Sequence, residues 1–128
     1  MARKGRTRSV VLIADDEALV AETLAEILNA EGFTAFAVND GTTAVESAQR
    51  LHPDIVLADV AMPGLNGIEA AKKIRLSFPQ TRIVLFSGHA ETAELIEQAR
   101  DEGYAFELLA KPLNPSILIK ILKTPYPS

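Results

Sequence analysis

The sequence predicts an α/β fold: a doubly wound, five-stranded parallel sheet in the strand order 2-1-3-4-5, with helices on both faces. Short β-branched segments alternate five times with segments whose apolar residues recur at helical spacing. Strict strand–helix alternation is typical of a parallel sheet with right-handed crossovers. The chain has 128 residues, the length of one ordinary domain, and five such units suit this strand order.

The five predicted strands are short runs rich in Val, Ile and Leu. The first of them contains no polar residue, which is typical of a strand buried on both faces. The predicted strands are Val10–Ala14, Phe33–Val38, Asp54–Ala58, Arg82–Phe86 and the less regular Tyr104–Leu109.

Each predicted helix has an apolar stripe, and most have a start or stop signal. Gly32 ends the first helix, Asp40 is an N-cap candidate for the second, and Pro53 ends that second helix. Asn114 caps the fifth helix, with Pro115 in its first turn. The stripes, in order, are Val20, Leu24, Ile27 and Leu28; Ala44, Val45, Ala48 and Leu51; Ile68, Ala71, Ile74 and Phe78; Leu95, Ile96 and Ala99; and Ile117, Leu118, Ile121 and Leu122.

Composition excludes several classes of function. The chain has no cysteine, which excludes a disulfide scaffold, a thiolate zinc site, a thiol nucleophile and an iron–sulfur cluster. The net charge is −4, so we do not expect the domain to bind nucleic acid directly. No apolar run reaches the length of a signal-peptide core or a membrane span, and the expected location is the cytoplasm. We expect a flexible basic arm at residues 1–8, one domain over 9–123 and a C-terminal tail at 124–128.

Polar side chains follow four of the five predicted strands. Asp15 and Asp16 follow the first strand, Asp59 the third, Ser87 the fourth and Lys111 the fifth. In an open α/β sheet, ligands bind beyond the carboxyl ends of the strands, where the strand order reverses. Since strands one and three flank that point, we expect these distant residues to meet at one edge of the sheet.

Taken singly, each of these residues has a structural explanation. Asp15 or Asp16 could cap the first helix, Asp59 could be a turn residue, and Lys111 could be solvated. Taken together, three carboxylates repel one another unless a cation lies among them, and one lysine is not enough. Mg²⁺ fits an all-oxygen set of this kind best. An aspartate beside Mg²⁺ and a lysine can act as a nucleophile toward phosphorus, and Asp59 is the best candidate because its strand is central.

Four segments resemble the receiver domain of bacterial two-component response regulators. They occur in the family's order and on the matching elements, over about residues 9–123, and the resemblance implies a flavodoxin-like fold. The segments are Val-Leu-Ile-Ala-Asp15-Asp16-Glu17, Asp54-Ile-Val-Leu-Ala-Asp59-Val-Ala-Met62-Pro63-Gly64-Leu-Asn-Gly67, Ile-Val-Leu-Phe-Ser87-Gly88-His89-Ala90 and Leu-Leu-Ala-Lys111-Pro112.

The resemblance implies that a sensor histidine kinase or a histidine phosphotransfer protein donates a phosphoryl group to Asp59 in a Mg²⁺-dependent reaction. Ser87 and Lys111 would engage that group. The domain would then be a phosphoacceptor in phosphorelay signal transduction that assists its own phosphorylation and dephosphorylation, and not an enzyme with turnover. The implied Mg²⁺ ligands are Asp15, Asp16, Asp59 and the backbone carbonyl of Ala61.

The resemblance also concerns the output of the domain. It implies a cis bond between Lys111 and Pro112, and an output surface formed by the fourth helix, fifth strand and fifth helix. That surface would bind a downstream effector protein or domain, or a second copy of the chain. Leu108 stands where the family usually has Tyr or Phe, so the aromatic switch cannot operate in its usual form. We therefore expect activation to reach the surface chiefly through the loop from Ser87 to Glu91.

Three other functions share parts of this pattern. A receiver-like interaction module that is never phosphorylated usually lacks an acidic, acceptor or lysine position, but none is missing here. A flavodoxin-type or dinucleotide-binding protein would have a glycine- and hydroxyl-rich loop where this chain has Asp15 and Asp16. A phosphohydrolase with an aspartate nucleophile would need a second acid or base just after Asp59, and we find none.

Overall fold

A computed structural model describes residues 8–88 and 92–124 of the chain. In that part, five strands and five helices alternate strictly. The strands are β1 (Val10–Ala14), β2 (Thr34–Val38), β3 (Ile55–Asp59), β4 (Arg82–Ser87) and β5 (Glu107–Ala110). The helices are α1 (Ala18–Ala30), α2 (Gly41–Leu51), α3 (Gly67–Ser77), α4 (Thr92–Asp101) and α5 (Pro115–Lys123).

All strand pairs are parallel, and the order β2-β1-β3-β4-β5 confirms the predicted doubly wound sheet. The chain moves outward from β1 to β2 and then returns across β1 to β3. The strand order therefore reverses between β1 and β3, and the crevice beyond their carboxyl ends is the place where ligands bind in such folds.

Two apolar cores lie on the two faces of the sheet. In β1, Leu12 and Ala14 belong to the core beneath α2, α3 and α4, whereas Val11 and Ile13 belong to the core beneath α1 and α5. This alternation follows from the two-residue period of side chains along a strand. Because β1 and β3 are buried on both faces, the ends of these two strands are rigidly placed.

Gly67 allows α3 to start directly against the end of β3. A Cβ atom at this position would collide with the backbone carbonyl of Asp59 and with Val60. The Gly67 N–H donates a hydrogen bond of 3.0 Å to the Val60 carbonyl. Only glycine permits this approach, which fixes the loop between β3 and α3 next to the predicted site.

The predicted fifth strand, Tyr104–Leu109, began too early. The structure pairs only Glu107–Ala110 with β4. The Tyr104 N–H instead donates to the Ala99 carbonyl at the end of α4, and the Tyr104 ring stacks on Phe106 at 5.7 Å between centroids. This segment therefore ends α4 and packs its aromatic rings into the core. Aromatic residues are equally typical of a strand, so composition alone did not separate the two structures.

Two residues of the predicted apolar stripes are exposed. Leu95 in α4 is 39% exposed and Ile117 in α5 is 57% exposed, while Ile96 and Leu118 beside them are buried. The reason is that β5 is the last and shortest strand of the sheet, so α4 and α5 have little sheet to cover at this edge.

The predicted arm and tail fall almost entirely outside the described residues, so the division into residues 1–8, 9–123 and 124–128 stays a prediction.

Within the described part of the chain, none of the helices combines the length and apolar character that crossing a bilayer requires.

The predicted caps of α2 and α5 are confirmed, and the first gives a stability prediction. The Thr43 N–H and hydroxyl both donate to the Asp40 carboxylate, at 2.7 and 3.0 Å, and these bonds lower the pKa of Asp40 below its ordinary 3.8. We expect Asp40→Ala to reduce the free energy of unfolding at pH 7 by about 1 kcal/mol, the usual value of an N-cap.

A group whose pKa is lowered by folding stabilises the native state fully above its ordinary pKa, and this contribution is lost as the pH falls. The difference between wild type and Asp40→Ala should therefore shrink below pH 3.8. Urea denaturation at several pH values measures it, and a difference that stays constant into strong acid would contradict the capping role.

Candidate functional site

Three carboxylates converge at the edge where the strand order reverses. Asp15 and Asp16 follow β1, and Asp59 is the last residue of β3. One carboxylate oxygen of each residue lies within 4.8 Å of the other two. The register of the central strands, in which Ala14 pairs with Ala58, brings these residues together.

Lys111 supplies the ammonium that faces these carboxylates. Its Nζ donates a hydrogen bond of 2.9 Å to Asp59 Oδ2, and it lies 3.7 Å from Asp15 Oδ2 and 4.0 Å from Glu17 Oε1. The Lys111 N–H also donates to the Ser87 carbonyl at 3.0 Å, which continues the pairing of β4 with β5 beyond the end of β5. The fold thus places the ammonium of Lys111, which directly follows the edge strand β5, beside Asp59 at the centre of the site.

Both oxygens of the Asp59 carboxylate are held by hydrogen bonds. Oδ2 accepts from Lys111, and Oδ1 accepts from the Ala61 N–H at 3.0 Å. The residue is only 4% exposed, so its side chain has one defined orientation at the floor of the crevice. The Ala61 backbone therefore lies next to Asp59, and the role of its carbonyl as a metal ligand stays a prediction.

The Asp15 carboxylate is fully buried and only half satisfied. Oδ1 accepts from the Glu17 N–H at 2.9 Å, whereas Oδ2 has no hydrogen-bond partner. Burial raises the pKa of Asp15 above its ordinary value, although the Glu17 N–H and the Lys111 charge act in the opposite direction. The Lys111 ammonium is 3.7 Å from Oδ2, too far for a hydrogen bond, so this buried oxygen is left able to bind a ligand.

The simple capping explanation does not account for this acidic pair. Glu17 occupies the N-cap position of α1, and its side chain makes no capping hydrogen bond. Neither Asp15 nor Asp16 is the N-cap residue, and the carboxylate of Asp16 is exposed to solvent at the mouth of the site.

The charge balance of the site also favours a bound cation. Burial would lower the pKa of Lys111, but its hydrogen bond to Asp59 and the charges of Asp59, Asp15 and Glu17 outweigh burial and raise the pKa above 10.5. The ammonium stays protonated, yet it lies within 4.0 Å of three carboxylates, those of Asp15, Glu17 and Asp59, and Asp16 adds a fourth negative charge to the cluster. A hard divalent cation with carboxylate ligands and several waters fits this set, and Mg²⁺ has these preferences.

Ser87 ends β4 at the same edge. It is buried, it pairs with Ala110 of β5, and it directly follows Phe86, the residue that pairs with Asp59. Of the predicted activation route from Ser87 to Glu91, residues 89–91 lie outside the described residues, and that route stays a prediction.

The structure adds two neighbours that the sequence did not indicate. The Phe86 ring lies beneath Lys111, with its centroid 5.3 Å from Nζ, a distance at which an aromatic face attracts a cation. The Asn39 side chain donates to the Asp15 carbonyl at 3.1 Å. Both contacts join residues far apart in the sequence, so no local pattern could have revealed them.

The bond between Lys111 and Pro112 is cis, as the resemblance implied.

The family model of the response regulator receiver domain matches residues 11–123. The transcriptional regulatory protein PdtaR of Mycobacterium tuberculosis is 42% identical over 114 residues, which cover 88% of this chain and 54% of PdtaR. The DNA-binding response regulator MtrA of the same organism is 33% identical over 112 residues, which cover 88% of this chain and 48% of MtrA. The chain thus spans about half the length of these relatives.

Solved structures share the fold. The chemotaxis response regulator CheY4 of Vibrio cholerae superposes with a TM-score of 0.79 at 28% identity, covering 91% of this chain and 98% of CheY4. A CheY-like receiver domain protein from Methanospirillum hungatei gives a TM-score of 0.83 at 22% identity, with 91% of each chain covered. The second likeness concerns the fold alone.

The buried charge of Asp15 gives a prediction for the metal-free protein. Because burial raises its pKa, the ionised carboxylate destabilises the native state at neutral pH. Asp15→Asn keeps the oxygen that accepts from Glu17 and removes the charge. In EDTA at pH 7 we expect the free energy of unfolding to rise by about 1 kcal/mol, a size that single stabilising substitutions commonly reach.

This gain should shrink as the pH falls, because wild-type Asp15 then takes up a proton. Asp16→Asn is the control, since that carboxylate is exposed, and its stability should stay within about 0.5 kcal/mol of wild type. Denaturant unfolding followed by circular dichroism measures all three proteins. A clear loss of stability in Asp15→Asn at pH 7 would contradict an unfavourable buried charge.

Proposed function

This chain belongs to the receiver domain family of two-component response regulators, and we propose that it accepts a phosphoryl group on Asp59 in a Mg²⁺-dependent reaction that switches the binding of a partner. One observation carries the proposal: three carboxylates lie within 4.8 Å of one another, with an ammonium 2.9 Å from the central one.

Asp59 is the proposed nucleophile. A carboxylate oxygen attacks the phosphorus of a phosphohistidine, and the bond between phosphorus and the imidazole nitrogen breaks. The Lys111 ammonium and the Ser87 hydroxyl donate hydrogen bonds to oxygens of the transferred group. The two hydrogen bonds that already orient the Asp59 carboxylate support this role, because they hold it ready for attack.

The proposed metal ligands are Asp15, Asp16, Asp59 and the backbone carbonyl of Ala61. A Mg²⁺ ion held there would offset the negative charge of the phosphoryl oxygens. Asp15 Oδ2 and the exposed carboxylate of Asp16 support this assignment, since the first accepts no hydrogen bond and is free to bind a metal, and the second leaves room for water.

The proposed donor is a sensor histidine kinase or a histidine phosphotransfer protein. A mostly apolar cleft of about 500 Å³ opens beside Lys111, and Leu19 near the start of α1 is 77% exposed. Apolar surface next to the reacting carboxylate is suited to a docking protein. The cleft is lined by Glu17, Val20, Leu24, Phe86, Lys111, Pro112 and Leu113.

The proposed output surface is formed by α4, β5 and α5, and it binds an effector protein or domain or a second copy of the chain. Among the described residues, three of the six exposed large apolar side chains lie on these elements: Leu95, Leu108 and Ile117. Leu108 is 46% exposed in the place of the usual aromatic residue, so it contributes apolar surface but no ring to this face.

The domain is a signalling domain, and we infer that it acts in the cytoplasm and assists its own phosphorylation and dephosphorylation. A receiver-like module that is never phosphorylated would not need to keep the charged crevice, with its buried Asp15 and Asp59. No observation favours that alternative.

The chemistry is tested by intact-protein mass spectrometry. With Mg²⁺ and acetyl phosphate, wild type should gain the mass of one phosphoryl group, and EDTA should abolish the gain because the carboxylates then repel the phosphoryl oxygens. Asp59→Asn should gain nothing. Asp101→Asn is the matched control, since it removes an exposed carboxylate at the end of α4 and should be modified like wild type.

Two outcomes would contradict the proposal. The first is that neither acetyl phosphate nor phosphorylated donor proteins modify wild type, which would indicate a passive interaction module. Continuous release of phosphate with many turnovers per protein would instead indicate a hydrolase.

A further inference from the structure

Asn39 connects the end of β2 to the acidic loop. It directly follows β2, and its Nδ2 donates a hydrogen bond of 3.1 Å to the backbone carbonyl of Asp15, 24 residues away in the sequence. The two strands are neighbours and Val38 pairs with Ala14, so Asn39 lies beside the first residue after β1. The side chain of Asn39 is exposed and contributes nothing to either apolar core.

This contact completes a set of three bonds that fix Asp15. Its N–H donates to the Val38 carbonyl at 3.1 Å, its carbonyl accepts from Asn39, and its Oδ1 accepts from the Glu17 N–H. The carboxylate oxygen left over, Oδ2, is buried without a hydrogen-bond partner. Lys111 attracts this oxygen from 3.7 Å, and the three hydrogen bonds keep the carboxylate from turning away from the crevice.

The carbonyl that Asn39 holds belongs to the peptide between Asp15 and Asp16. Rotation of that peptide would move both carboxylates, because one side chain lies on each side of it. Asn39 is not itself one of the three acidic residues whose oxygens converge. Its contact therefore acts on the site through the backbone.

We propose that Asn39 is a positioning residue for the divalent cation: it fixes the Asp15–Asp16 peptide so that both carboxylates face Asp59. The inference rests on the magnesium site proposed above. Groups that orient metal ligands through hydrogen bonds typically change metal affinity by about 10- to 100-fold when they are removed. Asn39 makes one neutral hydrogen bond from an exposed side chain, so we expect its removal to lower the affinity for the cation about tenfold, the lower end of that range.

The chain contains a matched control. Asn29 also bonds the backbone of β2, since its Oδ1 accepts from the Ala35 N–H at 2.8 Å and its Nδ2 donates to the Ala35 carbonyl at 3.3 Å. It lies at the end of α1, toward the amino end of β2 and away from the acidic site. Asn29→Ala thus removes the same side chain and comparable bonds without touching the Asp15–Asp16 peptide.

The experiment is a titration of the ¹⁵N-labelled chain with MgCl₂, followed by amide chemical shifts, with the thermal unfolding midpoint of each protein measured in EDTA. Asn39→Ala should raise the dissociation constant for Mg²⁺ about tenfold. Asn39→Gln, which keeps an amide donor, should recover part of the affinity. Asn29→Ala should bind Mg²⁺ like wild type while its unfolding midpoint falls at least as far as that of Asn39→Ala.

Wild-type affinity in Asn39→Ala would overturn the inference while leaving the magnesium site in place. An equal loss of affinity in Asn29→Ala would also overturn it, because general destabilisation would then explain the effect. Wild type without a Mg²⁺ response at the amides around Asp15, Asp16 and Asp59 would overturn the proposed function, and the inference with it. The wild-type titration therefore distinguishes the two failures.

Discussion

The mutual repulsion of three carboxylates is the constraint on which this structure depends. Asp15, Asp16 and Asp59 have oxygens within 4.8 Å of one another, and the repulsion is most costly between Asp15 and Asp59, because both are buried while solvent screens the exposed Asp16. Lys111 offsets part of this cost through its bond to Asp59. The remainder must be borne by the fold, and a bound divalent cation would remove it.

The sheet withstands the repulsion between the carboxylates because the strands that carry them are its most buried elements. β1 and β3 pack against apolar cores on both faces, so the ends of these strands cannot separate without exposing the cores. Gly67 and the bonds around Asp15 fix the adjoining loops in the same way. The packed sheet thus holds an unfavourable arrangement of charges at its carboxyl edge, which is the proposed site of the cation and the phosphoryl group.

Much of this arrangement could be predicted from the sequence, because the residues of the site lie at the ends of strands or directly after them. Asp15, Asp59 and Lys111 meet since parallel strands end at one edge, which needs no knowledge of individual side-chain contacts. Asn39 could not be predicted as a partner of Asp15, since the turn in which it lies explains an asparagine equally well. The predicted start of β5 was wrong because aromatic residues such as Tyr104 and Phe106 favour a strand. In the structure the Tyr104 N–H instead donates a hydrogen bond to the end of α4.

The most direct measurement is a crystal structure grown with Mn²⁺ in place of Mg²⁺ and with beryllium fluoride as a mimic of the phosphoryl group. We expect an anomalous peak for the metal among the carboxylates of Asp15, Asp16 and Asp59, with the mimic attached to Asp59 and contacted by Lys111 and Ser87. A metal bound elsewhere, or a crevice in which Asp59 stays paired with Lys111 and carries no mimic, would contradict it.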